Sequence, residues 1–143
     1  MRTNLGIEDL NGFLDEPFVA VLATLRKDGS ALLSPVWHEW RDGGFNVWVG
    51  ADDVKARHLR RDPRASILVA ESQDPLRGVE VRGVARIIAE GAHETAVRIA
   101  SRYIGAEKGA AYVGSAGHEV TVRLEPGYLR VWDFADEHEA MDP

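Results

Sequence analysis

Phe18-Val19-Ala20-Val21-Leu22-Ala23-Thr24-Leu25-Arg26-Lys27-Asp28-Gly29-Ser30-Ala31-Leu32-Leu33-Ser34-Pro35-Val36-Trp37 is the stretch that decides the fold. Phe18 to Leu25 is a nearly continuous apolar run, and its length and flanks predict a strand buried on both faces. Asp28-Gly29 follows, and Asp-Gly between two apolar runs signals a tight hairpin. A second strand is predicted from Ala31 to Trp40. Pro35 lacks an N–H, so that strand should bulge or lose pairing there.

The neighbouring segments extend the pattern. Ile7 to Leu14 reads as a short helix that ends before Pro17. Asp42-Gly43-Gly44 repeats the turn device, and Phe45 to Val49 then alternates, with Phe45, Val47 and Val49 on one face and Asn46 and Trp48 on the other. A helix fits Asp53 to Arg61, with Asp52 as its N-cap and Pro63 beyond its end. Ala65 to Ala70 and Val79 to Ile88 read as strands. Gly83 within the second implies a bulge or a close backbone approach. His93 to Ile104 is an amphipathic helix with the apolar stripe Ala96, Val97, Ala100, Tyr103 and Ile104, and a Glu94–Arg98 pair on its polar side. Val120 to Leu124 and Tyr128 to Phe134 read as a closing hairpin around Pro126-Gly127. Residues 72–77 and 105–117 read as connections. The predicted class is mainly β (α+β): a small antiparallel β-barrel of six or more strands with peripheral helices, not a doubly wound sheet.

Composition sets the outer bounds. The 143 residues are expected to form one domain, with its core at about 13–134 and an acidic tail from Asp133 onward. A hydrophobic fraction of 45% argues against disorder. There is no cysteine, which excludes disulfides, thiolate nucleophiles and cysteine-ligated metals. The net charge of −6 argues against a general nucleic-acid binder. No apolar run approaches the roughly 18–20 residues of a membrane span. The first residues show no long apolar stretch, so a cytoplasmic protein is expected.

Few motifs point to chemistry. There is no G-x-S-x-G elbow, no phosphate-binding loop and no G-x-G-x-x-G fingerprint. The histidines His38, His58, His93, His118 and His138 have no metal-ligand spacing, so no metal site is expected. No catalytic residue is assigned. His38 and Tyr128 are protic, but both read as structural. One segment stands out from the acidic background: Lys55, Arg57, Arg60, Arg61 and Arg64 lie together with only Asp62 between them. A helix opening with Lys55 and Arg57 offers free N–H groups and two cations to a phosphate or carboxylate. Asp52 and Asp53 act against it, because they already satisfy the helix dipole. Upstream, backbone freed at Pro35 could bind the polar edge of a flat ring, and Trp37 could stack on it. Each of Trp37, Trp40, Trp48 and Trp132 taken alone reads rather as a core or dimer-interface aromatic.

Taken together, Asp28-Gly29…Pro35-Val36-Trp37, Val47-Trp48-Val49 and the run Lys55 to Ile67 resemble a known family. It is the split β-barrel flavin- and deazaflavin-dependent oxidoreductases of the pyridoxamine 5′-phosphate oxidase-like superfamily. Val79 to Ala85 and Leu129-Arg130-Val131-Trp132 match its next and final strands, so the resemblance spans roughly Phe13 to Phe134. The Lys-x-Arg-x-Leu-x-x-Asp-Pro-Arg run resembles the branch that uses the deazaflavin coenzyme F420. The resemblance implies a homodimer with the cofactor at its interface and a small-molecule hydride acceptor. It places the ring against Ser34, Pro35, Val36 and Trp37. The phosphate and tail would lie near Val49, Gly50, Ala51, Lys55 and Arg57, with Arg60 close to the tail. The partner subunit would add Arg130 and Trp132. The chain departs from the family pattern at Asp53, where members often carry a basic residue, and at His58, where they often carry Asn. FMN-using members place a basic residue on the second strand, where this chain has Ser34 and Val36. That favours F420 over FMN. The alternatives are an FMN-dependent oxidoreductase and a non-catalytic flavin- or haem-binding barrel.

Overall fold

The computed structural model describes residues 5–135. Nine strands and three α-helices follow two short 3-10 turns, Ile7–Leu10 and Phe13–Asp15. The strands are β1 (Ala20–Leu25), β2 (Ala31–Val36), β3 (Glu39–Arg41), β4 (Gly44–Gly50), β5 (Arg64–Ala70), β6 (Gly78–Val84), β7 (Arg86–Ile88), β8 (Glu119–Leu124) and β9 (Tyr128–Trp132). The helices are α1 (Val54–Arg61), α2 (Ala92–Ile104) and α3 (Ala106–Val113). One sheet runs β2-β1-β5-β6-β9 and the other β3-β4-β8-β7, with every pairing antiparallel. This is the antiparallel barrel with outer helices that the strand pattern predicts, in the split-barrel form that the resemblance implies.

The hairpin forms as expected. Gly29 takes φ +86°, and the Asp28 carboxylate accepts from the Ser30 N–H at 2.9 Å, closing the turn. Between the sheets, Leu22, Ile67, Val69, Val79 and Val81 face Phe45, Val47, Val49, Val122 and Leu124 across one core. Burying each such side chain contributes on the order of 2 kcal/mol.

Several expectations need correction. β1 is not covered on both faces within this chain: Ala20, Leu22 and Thr24 are buried, whereas Val21, Ala23 and Leu25 are half-exposed. The long strands predicted at 31–40 and 79–88 each break in two and feed both sheets. The breaks fall at Trp37-His38 and at Ala85, where the Ala85 N–H leaves the ladder for the Pro63 carbonyl. Gly83 is not a bulge, since it stays in register opposite Ala65. It is a close approach: a Cβ there would lie 2.6 Å from the Glu125 carbonyl oxygen. The Pro126-Gly127 turn packs on that spot, with Gly127 N–H donating to Arg82 O. That contact sends β8 and β9 into different sheets, so they form no hairpin.

The helices also differ in detail. Asn11 (φ +50°) and Gly12 (φ +78°) split the predicted first helix into its two turns. The N-cap of α1 is Asp53, one residue later than expected. α2 buries Ile99 with Ala92, Ala96 and Ala100, while Val97, Tyr103 and Ile104 are only half-buried. Arg98 forks onto Glu39 at 2.7 and 2.6 Å rather than pairing with Glu94. The segment read as a connection contains α3, whose Gly109 lies so close to α2 that a Cβ would meet Ser101 N at 2.7 Å. The tail beyond Ala135 lies outside the described residues.

Candidate functional site

The site grows from three backbone junctions. The first is the β2–β3 break. The Tyr103 hydroxyl accepts from His38 N–H at 3.1 Å and donates to the Phe18 carbonyl at 2.8 Å. The Arg102 guanidinium donates to the carbonyls of His38, Leu14 and Glu16. α2 therefore pins the crossover and presents Trp37. The second junction is the end of β4. Ala51 N–H donates to His118 O, and Arg60 donates to Ala51 O, both at 2.8 Å. The third is the start of α1, where Asp53 Oδ1 accepts from Lys55 N–H at 2.9 Å.

These junctions enclose a cleft of about 480 Å³. Pro35, Val36 and Trp37 form one wall, and Trp48, Val49 and Gly50 form another. Lys55 and Asp53 stand at the α1 start, and Val19 and Tyr112 complete the lining. Trp37 lies 5.9 Å from Trp48 and 5.5 Å from Tyr112 between ring centroids, so the three rings form one aromatic surface. A Cβ on Gly50 would meet nothing nearer than 3.9 Å. Glycine there serves no close packing; it leaves the cleft open. β2 is a sheet edge, so backbone groups along its outer side have no strand beside them among the described residues.

Of the residues expected at a cofactor site, Pro35, Val36, Trp37, Val49, Gly50 and Lys55 line this one cleft. Ser34 sits beside them on β2, opposite Leu22. Ala51 packs toward the core and a small neighbouring cavity. Arg60 is spent on the Ala51 carbonyl. Arg57 points elsewhere, into a groove of about 590 Å³ with Arg26, Lys27 and Arg61. Arg130 and Trp132 lie on β9, at the opposite edge of the five-stranded sheet from β2. Arg130 stacks over the Trp132 ring at 4.7 Å and pairs with Glu80 at 2.9 Å. Within one chain these two do not reach the cleft. Sequence reasoning missed Val19, Trp48 and Tyr112 as lining residues. The alternation of β4 already put Trp48 opposite the core-facing valines. Tyr112 was hidden in α3, whose flanking Gly105 and Gly114 were its available signal.

The charges divide sharply. Burial alone would raise the Asp53 carboxyl, but hydrogen bonds from the Lys55 N–H and ammonium outweigh it and hold it below the usual range. Lys55 Nζ is 3.0 Å from Asp53 Oδ1. In the groove, burial lowers the His58 imidazole, and the charges of Arg61, Arg26 and Arg57 lower it further. His58 Nδ1 meets Thr24 Oγ1 at 2.9 Å. Below the cleft, His38 is fully buried, and neither ring nitrogen has a hydrogen-bond partner among the described residues. Burial, helped by the charge of Arg102, lowers it to about 4.

The molecule is thus a split barrel with an edge-strand aromatic cleft and a lysine at a helix start. The chain belongs to the pyridoxamine 5′-phosphate oxidase family, whose pattern matches residues 7–133. A conserved hypothetical protein of Mycobacterium tuberculosis is similar at 30% identity, with 94% of this chain and 88% of that one covered and a TM-score of 0.81. An F420 reductase aligns at 23% identity and TM-score 0.69, covering 87% and 96% of the two chains. The haem storage protein HutZ of Vibrio cholerae aligns at 18% identity and TM-score 0.68, covering 86% and 92%. The last two likenesses concern the fold. No curated protein matches the chain. No helix among the described residues is long and apolar enough to cross a membrane.

Proposed function

We propose that the chain is an F420H2-dependent reductase that passes a hydride to a small organic acceptor. The observation that carries this reading is the cleft itself: an aromatic surface from Trp37, Trp48 and Tyr112, with Lys55 as its cation. That donor set suits a flat, phosphorylated ring system. When bound, the reduced deazaflavin supplies the hydride. Trp37 and Trp48 would orient the ring, Lys55 would pair with its phosphate, and Tyr112 would exclude water. Arg57 would attract the oligoglutamyl tail.

The working unit on this reading is a homodimer. At its β2–β1 end the outer face of the five-stranded sheet carries Val21, Ala23, Leu25, Leu33 and Pro35, continued by Leu68 of β5, with Leu33 65% exposed, while Glu80, Arg82 and Arg130 stand on the same face toward β9. The apolar end suits a second copy. The second copy would bring its own Arg130 and Trp132 toward the cleft.

The test is titration of the apo protein with F420, FMN and haem, followed by absorption and fluorescence. F420 should bind, and Lys55→Ala should weaken it far more than Arg26→Ala does. Equal affinities of the two variants would remove the site assignment. A yellow protein that releases flavin on denaturation would move the assignment to FMN. A Soret band without F420 or FMN binding would move it to haem.

A further inference from the structure

Two charged side chains line the cleft, Asp53 and Lys55, and they neutralise each other. One carboxylate oxygen accepts from both the Lys55 N–H, at 2.9 Å, and its ammonium, at 3.0 Å. The pair is partly buried: the Lys55 side chain is 19% exposed and that of Asp53 34%. Water therefore screens it less than a surface pair. Any anion entering the cleft meets a Lys55 charge that Asp53 already compensates, and must also tolerate the carboxylate beside it. An excess of cations lies elsewhere, in the groove with Arg26, Lys27, Arg57 and Arg61, where Asp28 is the one opposing charge in the lining.

We infer that Asp53 is a specificity-determining residue, an internal rival that occupies Lys55 until a ligand displaces it. A small free anion gains too little to displace it. A phosphorylated ring compound does displace it, because stacking on Trp37 and Trp48 adds to the ionic contact. The cleft thereby rejects free phosphate and pyrophosphate while admitting a larger aromatic phosphate. This rests on the reading of the cleft as a phosphorylated-cofactor site.

Asn and Ser cap helices about as well as Asp does, so Asp53→Asn and Asp53→Ser remove the charge and keep the cap. Thermal melts would verify that α1 and the fold survive. Wild type, both variants and the double variant D53N/K55Q are titrated with inorganic pyrophosphate by calorimetry and with F420 by fluorescence. Both single variants should bind pyrophosphate about tenfold tighter than wild type. The gain should vanish in the double variant. Wild-type affinity for pyrophosphate in D53N and D53S would overturn the inference, and so would a gain that persists without Lys55. If pyrophosphate behaves as expected and no variant binds F420, the cofactor assignment fails and the role of Asp53 stands.

Discussion

Tyr103 stacks on Trp37 with ring centroids 4.8 Å apart and planes 7° from parallel. Its hydroxyl also ties His38 N–H to the Phe18 carbonyl. One α2 side chain thus fixes both the backbone break between the sheets and the aromatic wall of the cleft. Tyr103→Phe keeps the stack and leaves two polar groups without that partner, at a cost of about 1–3 kcal/mol in urea unfolding. Its F420 affinity should fall little. Tyr103→Leu should lose stability and also weaken F420 binding, because Trp37 loses its support. Equal F420 affinities for the Leu variant and wild type would show that Trp37 holds its place unaided.

His38 predicts a pH dependence of stability. Its folded value of about 4 lies below the ordinary 6.5, so unfolding takes up a proton in between. The contribution is complete above pH 6.5 and is lost as pH falls from there toward 4. Its full size is about 3 kcal/mol. His58 is lowered too and adds in the same direction. Paired carboxylates such as Glu39 act only at still lower pH, since their folded values are depressed. Urea midpoints measured at pH 7.5 and 5 should diverge in wild type and diverge much less in His38→Leu, where the His58 contribution remains. An unchanged difference in the variant would assign the slope elsewhere.

Glu39 is 5% exposed and shared between the Arg98 fork and the Asn46 amide. Arg98→Met leaves that carboxylate with one neutral donor. The expected loss is about 2–4 kcal/mol. Arg64 also forks onto a carboxylate, Asp62, but in water. Arg64→Ala should leave the unfolding midpoint where it is. Similar effects of the two substitutions would mean that burial does not govern these pairs.

Leu33 lies on the outer sheet face in register with Ala23 of β1. Leu33→Glu should turn a dimer into a monomer in sedimentation experiments and leave the circular dichroism spectrum intact, since no core packing is touched. A dimer that survives the substitution would locate the interface on another face.

Local pattern made much of this architecture legible. The Asp28-Gly29 turn, the alternation through Phe45 to Val49 and the stop before Pro63 are decided within a few residues, and each forms as expected. The breaks at Trp37-His38 and Ala85 are decided at a distance, by Tyr103, Arg102 and the Pro63 carbonyl. A strand that switches sheets keeps its alternation, so periodicity does not reveal the switch. The same limit explains β8 and β9, which a turn dipeptide marked as a hairpin. Lys55 and Trp37 stood out by residue type and position. Tyr112 did not, because its place in the cleft depends on Gly109 seating α3 against α2.

The pairing of β4 with β8 also bears on the order of events at the ribosome. The cleft wall at Trp48, Val49 and Gly50 is synthesised about 70 residues before its ladder partners Thr121, Val120 and Glu119. β9, which completes the other sheet, follows later still. A nascent chain therefore carries Trp37, Trp48 and Lys55 long before it has a rigid cleft to hold them. A truncation that removes β8 should abolish F420 binding even though every cleft-lining residue remains.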